Sequence, residues 1–257
     1  MLQALFEASL KASNSREKAV SRSDLEKLCE ALDPAVDSLK ALAPSSKMKL
    51  IAEIKRSSPS KGFLAEIPDS QALGLGYEGA GAHAISVLTE ETGFSGSLED
   101  LKKVSSAVSI PTLRKDFISN EYQILEARAA GASMVLLILA HLSESEYRDL
   151  FAFARSIGLE PLVETHSQWE IQVAAESGAR LIGINTRDLE TFRTDIGLFE
   201  SLAAELPKGC IRIAESSVTN VGDVERYRNA GADCVLVGEA LVTGDWKSLI
   251  PQFISVS

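Results

Sequence analysis

The sequence predicts an α/β protein, a (β/α)8 TIM barrel preceded by an N-terminal helical extension. Short apolar runs rich in β-branched residues recur from residue 50 onward, and helix-like amphipathic stretches lie between them. Strands that alternate with helices indicate a parallel sheet. A chain of 257 residues also matches the usual length of a single-domain α/β barrel. We therefore assign residues 1–48 to the extension and 49–257 to the barrel.

Eight apolar runs have the length of a strand. They are 50–54, 84–88, 110–114, 134–139, 160–164, 181–185, 211–215 and 234–238. The predicted helices are 97–108, 121–130, 143–157, 167–177, 196–206 and 219–230. Four junctions before strands carry a glycine: GAGAH (79–83), AAGAS (129–133), ESGAR (176–180) and NAGAD (229–233). Glycine suits the residue that ends a helix in the left-handed conformation.

The first 48 residues do not follow this repeat. They contain two helix-like stretches, 3–12 and 16–31, and Ser23 with Glu26 resembles a capping box at the start of a helix. We expect the segment to pack on the barrel. The alternative is an arm that binds a partner.

Composition excludes several classes of protein. The net charge of −10 argues against a nucleic-acid surface, which is normally basic. No apolar stretch approaches the roughly 18 residues of a membrane span, and the N-terminus lacks a secretory signal. We therefore expect a cytoplasmic protein with no membrane contact.

Cys29, Cys210 and Cys234 lack the spacing of zinc ligands, so we predict no metal and expect Cys210 and Cys234 to be buried, reduced thiols.

In five of the predicted strands, the last residue on one face is polar or charged. The period of two places Ile51, Glu53 and Lys55 together. The same period pairs Leu113 with Lys115, Leu162 with Glu164, Gly183 with Asn185, and Ile213 with Glu215. Active sites of barrels lie at the carboxyl ends of the strands, and mixed lysines and carboxylates suit acid–base catalysis. This pattern favours an enzyme, although charges at strand ends can also satisfy one another or face solvent.

The ends of the last two strands predict a phosphate site. AESSVT (214–219) and VGEALV (237–242) place small residues directly before helix-like segments, where backbone N–H groups bind anions. Ser216 and Ser217 could instead be simple N-caps.

GFSG (93–96) is either a lid that places Phe94 over an aromatic substrate or an ordinary surface loop. His141 and His166 fall on the same rim, and we assign neither a direct role.

The run LIAEIKRSSPS (50–60) resembles the signature of indole-3-glycerol phosphate synthases, the barrel enzymes of tryptophan biosynthesis. The resemblance continues through LTEETGFSGSLEDL (88–101), LRKDFI (113–118), GASMVLLI (131–138), PLVETH (161–166), IGINTRDL (182–189), AESSV (214–218) and VGEAL (237–241). It implies a lyase acting on 1-(2-carboxyphenylamino)-1-deoxyribulose 5-phosphate by ring closure, loss of carbon dioxide and loss of water. No cofactor is implied. No second barrel pattern follows, so we expect a monofunctional monomer, with at most weak association with other enzymes of the pathway.

The resemblance also implies roles for individual residues. Lys115 resembles the general acid that protonates the ribulose carbonyl, and Lys55 resembles the second essential lysine, near the substrate carboxylate and active in dehydration. Glu164 resembles the residue that serves as general base and acid on the fifth strand, and Glu53 would orient the lysines and raise their pKa. The implied substrate-binding residues are Asn185, Arg187 and Glu215 for polar groups, Ser58, Ser216 and the backbone around Gly238 for the phosphate, and Phe94, Phe117 and Leu136 for the aromatic ring.

Two positions depart from the family pattern. Ser217 stands where glycine is usual, and this predicts a reshaped phosphate turn because serine lacks the backbone freedom of glycine. Glu239 stands where serine is common. Its carboxylate would repel a phosphate, so we expect it to point away and to offer only its N–H.

Two other functions use the same rim. A lysine with a lowered pKa, Lys115 or Lys55, could form a Schiff base with a sugar phosphate, as in lysine aldolases. A barrel could also bind a phosphorylated metabolite without transforming it and act through a partner docked on residues 1–48.

Overall fold

The computed structural model describes residues 2–188, 191 and 193–257. Within these ranges eight parallel strands, β1–β8, close into a barrel in which each strand pairs with its sequence neighbours and β8 pairs with β1. The strands are β1 Lys49–Ile54, β2 Ala84–Leu88, β3 Thr112–Lys115, β4 Met134–Ile138, β5 Glu160–Thr165, β6 Leu181–Asn185, β7 Ile211–Glu215 and β8 Cys234–Val237. Each begins and ends within two residues of its predicted bounds, which confirms the (β/α)8 barrel.

Helices cover the outside of the barrel. They are α1 Leu2–Glu17, α2 Arg22–Glu30, α3 Ser38–Leu42, α4 Ser70–Gly79, α5 Leu98–Ala107, α6 Glu121–Ala129, α7 Glu144–Ser156, α8 Gln168–Glu176, α9 Gly197–Leu202, α10 Val221–Asn229, α11 Glu239–Thr243 and α12 Trp246–Ser255. One glycine in each junction has φ between 73° and 105°, as predicted: Gly81, Gly131, Gly178 and Gly231. No helix in the described ranges is long and apolar enough to cross a membrane.

Helices α3, α4, α11 and α12 lie outside the predicted set. The sequence of α4 contains Gly74 and Gly76, which weaken a helix by roughly 1 kcal/mol each relative to alanine. Both are needed for packing, since a Cβ on Gly74 would lie 3.0 Å from Val104 and one on Gly76 would lie 2.6 Å from Trp246. Close packing of α4 against α5 and α12 therefore overrides helix propensity.

The predicted alternation of strand faces is confirmed. Ile51, Leu113 and Leu162 belong to the core inside the barrel, while Ala52 and Ile54 pack in the outer core between strands and helices. Residues that point into the barrel and lie closer to the carboxyl ends of the strands than this core form the rim. Cys210 and Cys234 are buried and free, as predicted.

The segment before β1 runs from one end of the barrel to the other. At the carboxyl-end rim, Phe6 of α1 stacks on His141, with ring centroids 3.6 Å apart, and meets Phe117 edge-on at 5.1 Å. Helix α2 packs along α6. Leu42 of α3 is fully buried in the inner core that also contains Ala84 at the start of β2.

The predicted start of the second helix is wrong. Helix α2 begins at Arg22, and the hydroxyl of Ser21 accepts a hydrogen bond from the Asp24 N–H at 3.2 Å. Ser23 therefore lies inside the helix. Arg22, the first residue of the helix, pairs through its guanidinium with Glu26 and Glu121.

Candidate active site

Three strand ends converge on the ammonium group of Lys115. Its Nζ atom donates to Glu164 Oε2 at 2.8 Å and to Glu215 Oε2 at 2.6 Å, so β3, β5 and β7 each supply one charged group. Both glutamates are almost fully buried, at 2% and 1% exposure. The sequence placed these residues on one rim, and the structure shows them in direct contact.

Burial and mutual charge set the protonation of this cluster. Burial disfavours the charged form of Lys115, but Glu164, Glu215 and Glu53 outweigh it and raise the pKa of the ammonium well above its usual value. Burial raises the pKa of Glu164, yet the charges of Lys115 and then His166 bring it down to about 2. For Glu215, burial outweighs Lys115 and the nearby Glu164 adds to it, so the pKa rises to about 7. The cluster therefore holds a cation, an anion and a carboxyl that titrates near neutrality.

The second oxygen of Glu215 is unusual. Oε1 is buried and has no hydrogen-bond partner among the described residues. A Cβ on Gly183, on the neighbouring strand, would collide with this oxygen and lie 3.1 Å from Glu215 Cδ. Glycine at 183 thus leaves the room that Glu215 needs to reach Lys115.

Lys55 and Glu53 form a second charged pair at the end of β1. Lys55 Nζ lies 3.0 Å from Glu53 Oε1, and the Ser86 hydroxyl donates to Glu53 Oε2 at 3.2 Å. A Cβ on Gly238 would collide with Glu53 Oε1 and lie 3.1 Å from Lys55 Nζ. Strand β8, at whose carboxyl end we predict a phosphate site, therefore ends next to the Lys55–Glu53 pair.

Asn185 links Glu164 to the turn after β7. Its amide nitrogen donates to Glu164 Oε1 at 3.0 Å, and its carbonyl accepts from Ser216 Oγ at 2.8 Å and from the Arg187 N–H at 3.0 Å. Arg187 is half-buried. The matched segment 182–189 ends at Leu189, which lies outside the described residues.

The turn after β7 adopts the conformation that favours glycine. Ser216 and Ser217 have φ values of 70° and 62°, and this conformation costs a residue with a side chain about 1–2 kcal/mol. Ser217 Oγ lies 2.7 Å from Thr186 Oγ1 and forms a hydrogen bond with it. The following helix is capped by Asn220, so the N-cap alternative for Ser216 and Ser217 is wrong.

A short hairpin follows Lys55. Its strands, Ser57–Ser58 and Gly62–Phe63, pair antiparallel. Ser58 is buried at 9% exposure, and its hydroxyl accepts from the Lys61 N–H at 3.3 Å. Lys61 Nζ lies 3.7 Å from Glu239 Oε1 at the start of α11. The carboxylate at position 239 therefore faces a lysine from the loop that follows the neighbouring strand β1.

Aromatic residues line the side of the rim next to α1. Phe94 and Phe117 have ring centroids 6.0 Å apart, and Leu136 lies in the same inner core as Phe117. The carboxylate of Glu90 holds the 93–96 loop, because it accepts the N–H groups of Gly93 and Phe94 at 2.6 and 3.1 Å. This anchored loop places Phe94 against the inner core.

Sequence reasoning missed a buried polar network behind Lys115. Arg114 is fully buried and pairs with Asp116 at 2.9 Å and with Glu126 at 3.2 Å. Ser9 of α1 donates to Asp116 Oδ1 at 2.7 Å and accepts from Gln123 Nε2 at 2.9 Å. The charged run RKD (114–116) at the end of β3 could have revealed this network. When Lys115 points into the barrel, the period of two turns Arg114 and Asp116 toward the helices.

The two rim histidines differ in their surroundings. His141 stacks on Phe6, whereas His166 lies 3.7 Å from Glu164 Oε1. In the part of the chain that the structure describes, no cluster of three or more His, Cys, Asp or Glu side chains is arranged to hold a metal ion.

Comparison with known proteins assigns the family. The family described as indole-3-glycerol phosphate synthase matches residues 2–252. A protein of that name from Leifsonia xyli subsp. xyli is 51% identical over 234 residues, which cover 91% of this chain and 90% of that protein. Indole-3-glycerol phosphate synthase 1 from Streptomyces coelicolor is 48% identical over 241 residues, covering 93% and 89%. The chain therefore belongs to the indole-3-glycerol phosphate synthase family.

Proposed function

We propose that the chain converts 1-(2-carboxyphenylamino)-1-deoxyribulose 5-phosphate to indole-3-glycerol phosphate at the carboxyl end of the barrel, using the residues described above. The observation that carries this proposal is the Lys115 ammonium held between Glu164 and Glu215. A proton donor and two carboxyl groups within one buried cluster supply the acid–base chemistry that the reaction requires.

Ring closure is assigned to Lys115. The aromatic carbon that carries the carboxylate attacks the ribulose carbonyl carbon, and Lys115 gives a proton to the carbonyl oxygen. A carbon–carbon bond forms and the carbonyl becomes a hydroxyl. Carbon dioxide then leaves, and the electrons of the broken bond restore the aromatic ring.

Dehydration needs a second acid and a base. Lys55 protonates the new hydroxyl, which leaves as water, and Glu164 takes a proton from the adjacent carbon to complete the indole. Before decarboxylation, Lys55 also faces the substrate carboxylate. Glu53 positions the Lys55 ammonium through its 3.0 Å contact.

The remaining polar residues bind substrate. Asn185, Arg187 and Glu215 fix hydroxyl and carboxylate groups, and Asn185 also holds Glu164 by its 3.0 Å hydrogen bond. The phosphate is assigned to the hydroxyls of Ser58 and Ser216 together with the backbone N–H groups at Gly238 and Glu239.

The charge of Glu239 is offset by Lys61. The 3.7 Å contact between them brings a lysine next to the phosphate site, which reduces the repulsion that a carboxylate would exert there. Phe94, Phe117 and Leu136 form the apolar wall for the anthranilate ring.

The proposal also divides the chain into two parts. Residues 49–257 form the catalytic barrel, and residues 1–48 form an extension packed on it through Phe6 and Ser9. The substrate is a small phosphorylated molecule. A monomeric state, weak association with pathway enzymes and a cytoplasmic location stay predictions from the sequence.

The aldolase alternative is disfavoured at Lys115. A Schiff-base lysine needs a neutral amine and hence a lowered pKa, whereas the carboxylates around Lys115 raise its pKa. Borohydride treatment in the presence of a sugar phosphate would leave a covalent adduct only on an aldolase.

The direct test is the appearance of indole fluorescence when the purified chain meets the carboxyphenylamino substrate. We expect fluorescence to grow with time together with one equivalent of carbon dioxide. Binding of the substrate without indole formation would overturn the proposed function and would favour a binding protein.

A further inference from the structure

The imidazole ring of His166 lies between two carboxylates. Nε2 is 3.7 Å from Glu164 Oε1, and Nδ1 is 3.6 Å from Glu170 Oε2. The side chain is only 15% exposed, and neither ring nitrogen has a hydrogen-bond partner among the described residues. The ring therefore faces an acceptor on each side and is not engaged by other donors or acceptors of the described chain.

Local structure holds this geometry. Ser167 is the N-cap of α8, its hydroxyl accepting from the Glu170 N–H at 3.3 Å. The Glu170 carboxylate in turn accepts the backbone N–H of His166. On the other side, Asn185 and Lys115 fix the Glu164 carboxylate. Both neighbours of the ring are thus anchored independently of the ring itself.

The two acceptors determine which form of the ring fits. A neutral imidazole has one donor and one acceptor nitrogen, so it can satisfy only one of two ionised carboxylates. An imidazolium has two donors and matches both. The groups that face the ring are Glu164 from β5, Glu170 from α8 and, further off, Glu215 from β7. Burial works against the charged ring, yet these three carboxylates outweigh it and raise the pKa of His166.

We propose that His166 is a positioning residue that, as an imidazolium, bridges Glu164 and Glu170 and keeps Glu164 ionised when Lys115 gives up its proton. This role rests on the proposed function, because Lys115 is neutral only after it has protonated the substrate carbonyl. At that moment Glu164 loses the counter-charge 2.8 Å away. The imidazolium remains beside it, and no proton needs to move to or from the ring.

The protonation state can be measured without turnover. In the unmodified protein, NMR of the imidazole nitrogens should show His166 as an imidazolium above pH 6.5. His83 provides the internal contrast, since burial lowers its pKa to about 4. Glu170→Gln should lower the midpoint of His166 and leave that of His83 unchanged. A His166 ring that is neutral below pH 6.5, or a midpoint that Glu170→Gln does not change, would overturn the proposal.

The effect on Glu164 is read from the pH dependence of kcat. His166→Gln should move the limb of Glu164, the more acidic of the two limbs that Glu164 and Glu215 produce, toward higher pH by about one unit. This is the scale on which a neighbouring charge shifts a carboxyl pKa. The matched variant is His141→Gln, at a rim histidine that contacts Phe6, and it should keep the wild-type limb whatever its kcat. Coincident limbs for His166→Gln and wild type would also overturn the proposal. Absence of turnover in the wild type would instead refute the proposed function, and the NMR result would still stand.

Discussion

Lys115 holds Glu215 by one oxygen only: Nζ lies 2.6 Å from Oε2, while Oε1 is buried without a hydrogen-bond partner among the described residues. Glu164, on the other side of the same ammonium, has both oxygens hydrogen-bonded, to Lys115 and to Asn185. This asymmetry agrees with the opposite pKa shifts of the two carboxyls. Burial raises the pKa of Glu215, whereas Lys115 holds that of Glu164 below its usual value.

The Glu215 carboxyl should make the free energy of unfolding depend on pH. Burial and Glu164 raise the pKa of Glu215 to about 7 in the folded state, against roughly 4.3 in an unfolded chain. The stability that Glu215 contributes is therefore fully present below the unfolded value and is lost as the pH rises through about 7. Glutamine does not titrate, so the free energy of unfolding of Glu215→Gln, relative to wild type, should be higher at pH 8 than at pH 5.

Urea denaturation at the two pH values checks this prediction. Glu99→Gln, at an exposed position on α5, serves as the control and should show the same difference from wild type at both pH values. A difference for Glu215→Gln that does not change with pH would contradict the assigned titration.

The second prediction tests the close approach at Gly183. A methyl group there would collide with Glu215 Oε1 and force the carboxylate away from Lys115. Misplacement by about 1 Å can cost on the order of 10²-fold in rate, and we expect a loss of kcat of that order in Gly183→Ala. Gly79→Ala is the matched control, since a Cβ at 79 has no heavy atom within 4 Å. Equal kcat values in the two variants would contradict the geometry.

The third prediction concerns the contact between α1 and β3. Ser9→Ala removes a hydroxyl that donates to Asp116 and accepts from Gln123, leaving both without that partner. Asp116 Oδ1 keeps the Phe117 N–H and Gln123 Nε2 keeps the Phe117 carbonyl, so the variant loses two buried hydrogen bonds. At about 0.5–1.5 kcal/mol each, we expect the free energy of unfolding to fall by about 1–3 kcal/mol.

Ser13 offers the control on the same helix. It is fully buried, and its hydroxyl has no hydrogen-bond partner among the described residues. Ser13→Ala should therefore leave the free energy of unfolding unchanged or raise it. A larger loss in Ser13→Ala than in Ser9→Ala would show that the buried network does not join the extension to the barrel as described.

The fourth prediction concerns the phosphate. Glu239→Gln removes a carboxylate near the proposed site and releases Lys61 from its 3.7 Å contact. The pair that is broken interacts by roughly 1 kcal/mol, the value for two charges about 4 Å apart in water. If the freed Lys61 gives that interaction to the phosphate instead, KM should fall about fivefold. Glu225→Gln, exposed on α10, should leave KM unchanged. A rise of KM in Glu239→Gln would contradict this position of the phosphate.

The sequence predicts the barrel and the direction of its polar rim because both depend on local periodicity. Strand spacing and alternation are sufficient to place Lys115, Glu164 and Glu215 on one inward edge. Periodicity contains no distances across the barrel, so it does not show that one ammonium contacts both carboxylates or that only one carboxylate is fully hydrogen-bonded. Those relationships depend on strand register, which sets how far each side chain extends above the inner core.

Other features depend on tertiary packing. Helix α4 carries Gly74 and Gly76 because Val104 and Trp246 pack directly against it, and its glycines weaken the local helix signal. Ser21 and Ser23 both have an acidic residue three positions later, so the sequence alone does not distinguish them as N-caps of α2. In the structure it is the Ser21 hydroxyl that accepts the Asp24 N–H. The role of His166 depends on the Glu170 carboxylate, which α8 brings to the ring.

Lys115 is the proposed acid for ring closure, and the turnover of Lys115→Ala is the most direct test of that role. Its kcat should fall by about 10²- to 10⁴-fold, the usual contribution of a general acid, while circular dichroism reports a folded barrel and the affinity for indole-3-glycerol phosphate is largely retained. Lys103→Ala, at an exposed lysine on α5, should keep the wild-type rate. Near-wild-type turnover in Lys115→Ala would contradict the claim.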